Sequence, residues 1–109
     1  AVLANATVYF EFDSFNLSSR SIQALKSITM LMQDNSEIEI TIAGHADERG
    51  TREYNLALGQ RRAESVADYI ELKGISRSRL TVKSYGEEMP MTQGSNERSW
   101  ARNRRAEIN

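Results

Sequence analysis

Residues 37–43, EIEITIA, alternate polar and apolar side chains without a break. They run through Gly44 into a charge-dense turn, then into a helical pattern that stops at Gly74. No other stretch limits the possible folds so tightly. Period two sends Ile38, Ile40 and Ile42 one way and Glu37, Glu39 and Thr41 the other, which predicts a half-buried strand over Glu37–Ala43. From about Thr51 to Lys73, the residues Leu56, Ala63, Val66, Ala67 and Ile70 converge on one arc of a helix. That arc must pack on a sheet, and Gly74 suits the position just past the helix end.

The remaining elements follow from weaker signals. Thr7–Phe12 is rich in aromatic and β-branched residues and reads as a strand. Ser18 or Ser19 caps a helix carrying Ile22, Leu25, Ile28 and Met32, which ends around Asp34-Asn35. Leu80–Tyr85 reads as a third strand, Asn96–Arg102 as a short helix and Arg104–Asn109 as a fourth strand. The expected fold is α+β, ordered β-α-β-α-β-α-β, a mixed four-stranded sheet with helices packed on one face. With 109 residues, one proline and neither linker nor repeat, a single domain over 1–109 is expected.

Composition excludes several functions. A net charge of −1 argues against a general nucleic-acid binder, which needs a large excess of Lys and Arg. Zero cysteines remove disulfides and thiolate chemistry. The chain opens on Ala1 rather than Met, so any leader or lipid anchor is expected upstream.

The segment GHADERGTREYNLALGQRRA holds the chemistry. Asn55, Gly59 and Arg62 share one stripe at the edge of the buried arc of the second helix, whereas Arg61 points to the wet face among Glu53, Glu64 and Asp68. A glycine inside a helix costs roughly 1 kcal/mol relative to alanine, so Gly59 is read as clearing space for an approaching group. Asp47 comes from the turn between Gly44 and Gly50, which can fold back toward the helix. A carboxylate facing an ammonium and a guanidinium facing a carboxylate would together read an amino-acid head group. The alternative is that Asp47 and Arg62 pair with each other, as in a protein–protein adaptor. Arg62, at the edge of the packed arc, is expected to be dispensable for folding. His45, the one histidine, is read as a satisfied structural residue, and Trp100 and the tyrosines as core or rim. No metal cluster, nucleophile–base pair or paired acid and base is legible, so neither enzyme nor metal site is expected.

The segment GHADERGTREYNLALGQRRAESVADYI resembles the core motif of OmpA-like peptidoglycan-binding domains. VYFEFDSFNL, SYGEEMP and ARNRRAEI match in the same order, so the resemblance spans nearly the whole chain. HADERGT and SYGEE are closer to the lipoprotein members than to porin-linked or flagellar-stator members. The resemblance implies non-covalent binding of the peptidoglycan stem peptide at the free end of meso-diaminopimelate, without a cofactor. It assigns that ligand to Asp47 and Arg62, assisted by Asn55 of the YN pair and Arg104 of the terminal NRR, with Phe12 and Asp13 bordering the pocket. Strand alternation sends Arg104 and Arg105 to opposite faces. The resemblance further implies TolB and other Tol proteins as partners over an overlapping surface. It places the domain on the periplasmic face of a Gram-negative outer membrane, held by an upstream lipid anchor.

Overall fold

The computed structural model describes residues 6–109, so residues 1–5 of the expected domain lie outside the described residues. The elements are β1 (Ala6–Tyr9), α1 (Ser19–Asp34), β2 (Ile40–His45), α2 (Arg52–Leu72), β3 (Leu80–Gly86), α3 (Glu97–Asn103) and β4 (Arg105–Ile108), with a 3₁₀ turn over Arg77–Arg79 before β3. The sheet runs β1-β4-β2-β3. β4 is antiparallel to both neighbours and β2 is parallel to β3, which makes the sheet mixed as expected.

α2 packs chiefly against β2 and β3, and α1 packs against β1 and α2. Leu25, Ile28 and Met32 of α1 meet Ala63, Val66, Ala67 and Ile70 of α2 over Val8, Ile40, Ile42, Ala106 and Ile108 of the sheet. Leu56 is only half buried, and Leu58 is buried in its stead. Ser18 caps α1 by accepting from the Ser21 amide, and Thr51 caps α2 by accepting from the Tyr54 amide. Gly74 takes φ +100° past the end of α2, a conformation that side chains disfavour.

Two strands, β1 and β2, differ from expectation by more than a residue, and both shifts shape the site. β1 stops at Tyr9, opposite Arg105, because Arg104 is already the cap of α3. Residues 11–14 therefore turn away from the sheet, with Asp13 at φ +55°. β2 begins at Ile40 rather than Glu37, since the Ile38 amide bonds back to Asn35. It also runs on through Gly44 to His45, with a register shift between them.

Candidate functional site

The β2–α2 turn, the residues after β1 and the first turns of α2 meet at one end of the sheet. They enclose a cavity of about 240 Å³ lined by Phe12, Asp13, Asp47, Asn55 and Arg62, together with Arg49 and Tyr54. Five of the six residues assigned to the ligand thus share one wall. Arg104 is absent from that wall and stands behind it, donating to the Phe10 carbonyl at 2.8 Å and to Glu97 at 2.9 Å. It reaches the Asp47 carboxylate at 3.6 Å. Arg105 binds Glu107 and the Asn103 and Met89 carbonyls, and lines a separate hollow on the helix-free face.

Arg62 is 0% exposed, deeper than the helical stripe suggested. The expectation that it sits at an edge fails because residues 11–15 lap over α2. Its Nε donates to the Ser14 carbonyl (2.8 Å), Nη1 to His45 (2.9 Å) and Nη2 to Glu11 (3.1 Å). A guanidinium has five N–H groups, so two remain to be used. No carboxylate pairs with it among the described residues, and the expected structural Asp47–Arg62 pair does not form. Burial, then the nearby Arg104 charge, bring its pKa down to about 10. A buried cation whose side-chain hydrogen bonds all go to carbonyls, with Asp47 and Asp13 nearby but not paired to it, can still accept an anion at the cavity wall.

Asp47 is clasped by Arg49 instead. The Arg49 Nε and Nη2 donate to Oδ1 (3.1 Å) and Oδ2 (2.8 Å), and its backbone amide adds a third bond. Burial alone would raise the Asp47 carboxyl, but these bonds and the charges of Arg49 and Arg104 hold it below the usual range. The Arg49 guanidinium lies between the rings of Phe12 and Trp100, 4.0 Å from each centroid. Asn55 donates to the Asp47 carbonyl and to Glu87, which fixes the turn to α2. Tyr54 donates its hydroxyl to Asp13. Arg49 escaped the sequence reading, and Tyr54 and Trp100, read there as core or rim, also hold site residues. The position of Arg49 two residues after Asp47 was the one local signal, because the aromatic sandwich is built from distant segments.

Gly59 serves a purpose other than the one expected. A Cβ there would lie 2.3 Å from Ser84 Oγ and 2.9 Å from the Gly44 carbonyl oxygen, and one on Gly44 would lie 1.7 Å from the Gly59 carbonyl oxygen. The paired glycines let helix and strand backbones touch, and no room for a ligand remains between them. His45 is buried and stacked on Tyr85 at 5.4 Å, with neither ring nitrogen hydrogen-bonded, so it is structural but not satisfied. Burial, then the Arg105 charge, push its pKa down to about 4 and keep it neutral.

The chain belongs to the OmpA family, which it matches over residues 9–104. It is 45% identical over 108 residues to the peptidoglycan-associated lipoprotein of Pseudomonas putida and 44% identical to that of Pseudomonas aeruginosa. Both alignments cover 99% of this chain and 64% of the relative, so the chain spans less than two thirds of either protein. The fold is similar to the crystal structure of the peptidoglycan-associated lipoprotein from Burkholderia pseudomallei, with a TM-score of 0.91 at 41% identity over 94% of this chain and 86% of that one.

Proposed function

We propose that this chain is a binding module that holds peptidoglycan non-covalently through the meso-diaminopimelate of the stem peptide, and so tethers an outer membrane to the cell wall. The observation that carries the reading is Arg62, a fully buried guanidinium in a cavity wall with two N–H groups to spare and no carboxylate partner. The free end of meso-diaminopimelate brings a carboxylate for Arg62 and an ammonium for Asp47. Asn55 steadies the turn, Phe12 and Asp13 form the rim, and Arg104 supports Asp47 from behind. Relatives named peptidoglycan-associated lipoprotein support peptidoglycan as the partner. In the full-length protein the module works from a lipid anchor on the periplasmic face, with TolB as a partner that competes with the wall for this surface.

Calorimetric titration with three stem peptides tests the reading. Replacing diaminopimelate by lysine removes the carboxylate and leaves Arg62 without its partner. Sites built around a buried polar partner reject ligands that lack it, so binding should weaken at least about 100-fold, or roughly 2.7 kcal/mol. Amidating that carboxylate should also weaken binding, because the charge-assisted contact is lost while the shape remains. Equal affinity for all three peptides would overturn the assignment, even if the protein sedimented with purified sacculi.

A further inference from the structure

Asp47 already holds a cation. The Arg49 guanidinium meets both carboxylate oxygens, and the Phe12 and Trp100 rings cover its two faces. Trp100 is itself fixed by its indole N–H, which donates to Glu48 at 2.7 Å. The Asp47 side chain is 5% exposed and that of Arg49 31%, so the arginine sits outermost and screens the carboxylate from the mouth of the cavity. An incoming ammonium does not meet a free anion there. It meets an anion whose place is taken.

We propose that Arg49 is a resident competitor: a cation in the ammonium position on Asp47, whose displacement every ammonium ligand must offset and which a ligand that also delivers a carboxylate to Arg62 can offset. The proposal rests on the reading of the site given above. A lone ammonium exchanges a bidentate, charge-assisted pair and two cation–π contacts for one point-charge contact, which is a poor exchange. A zwitterion makes the same exchange and in addition neutralises the buried charge on Arg62, which favours displacement. Arg49 then moves outward into water, where its exposed edge already lies. The site so rejects simple amines, which are abundant, and accepts the amino-acid head group. The competitor built into the protein sets the threshold, and the contact to Arg62 supplies what exceeds it.

Titration of the whole chain with the diaminopimelate-type and lysine-type stem tripeptides tests this, comparing the native protein with Arg49→Gln and Trp100→Leu. Arg49→Gln removes the competing charge and keeps polar bulk. Its affinity for the diaminopimelate peptide should rise about tenfold, because displacing Arg49 no longer costs anything, and that for the lysine peptide should rise by no more than the same factor. Trp100→Leu leaves every charge in place but loosens the guanidinium, and should raise affinity for the diaminopimelate peptide the same way by a smaller factor. Weaker binding of the diaminopimelate peptide by Arg49→Gln would overturn the proposal by showing that Arg49 contacts the ligand directly. Unchanged affinity for the diaminopimelate peptide in both variants would overturn it too. Thermal melting checks the fold, and if Arg49→Gln does not fold, Trp100→Leu decides alone. Lack of preference in the native protein would instead refute the ligand assignment itself.

Discussion

Arg62 and Arg79 do the same local chemistry at different places in the molecule. Each donates to three backbone carbonyls, Arg62 to those of Glu11, Ser14 and His45 and Arg79 to those of Met32, Asn35 and Ile38. Arg79 ties the end of α1 to the entry of β2, and its side chain remains half exposed, where water screens the charge. Arg62 is sealed from water except through the cavity it lines. The same clamp is therefore structural at one end and, in the function proposed, an anion receptor at the other. Burial and an adjoining cavity make the difference, since the hydrogen bonds alone are alike.

The comparison breaks if the two arginines behave alike on mutation. Arg62→Ala should have the largest effect. It strips three carbonyls, that of His45 buried, of a charged donor and should cost roughly 3–5 kcal/mol of stability as well as wall binding. Urea denaturation and sacculus sedimentation would read the two losses separately, with Arg61→Ala as the near-silent control.

A second test sharpens the contrast through His45, whose carbonyl accepts from Arg62. The His45 pKa near 4 in the folded chain lies below the ordinary 6.5, so the unfolded chain takes up the proton first as pH falls. Stability should be full above about pH 6.5 and decline toward pH 4 by roughly 3 kcal/mol. Replacing His45 by Gln should flatten that slope in denaturation curves across this range. Asp47, held below its usual value, adds its own loss only in more acid solution. The smallest effect belongs to Arg79→Ala, expected at about 1–2 kcal/mol with sacculus binding unchanged. A loss of binding there would show that the carbonyl clamp itself, wherever it stands, governs the site.

The fold was legible wherever a single element announced its own packing. Alternation in EIEITIA and the apolar arc of α2 placed β2 and α2 in register with one another, because burying one face of each forces their contact. Boundaries were less legible, since β1 ends where β4 ceases to offer a partner. At the site, charge and spacing picked out Asp47, Asn55 and Arg62, but not their depth. A helical wheel cannot know that Ser14 and Glu11 will cover Arg62, or that Phe12 and Trp100 will close on Arg49. Gly59 misled for the same reason. An interior glycine records a close approach without saying whether a ligand or the protein's own strand makes it.

The pairing of β1 with β4 carries a consequence for the order of assembly. These strands come from opposite ends of the described chain, while α1, β2, α2 and β3 are joined by short connections. Joining remote segments spends loop-closure entropy before their contacts give anything back, so such pairings form late. Arg104, at the threshold of β4, then grips the Phe10 carbonyl and comes to stand behind Asp47. The support behind Asp47 should accordingly arrive late in folding, and a chain halted before that step would expose a helix-backed sheet whose cavity lacks Arg104 at its back.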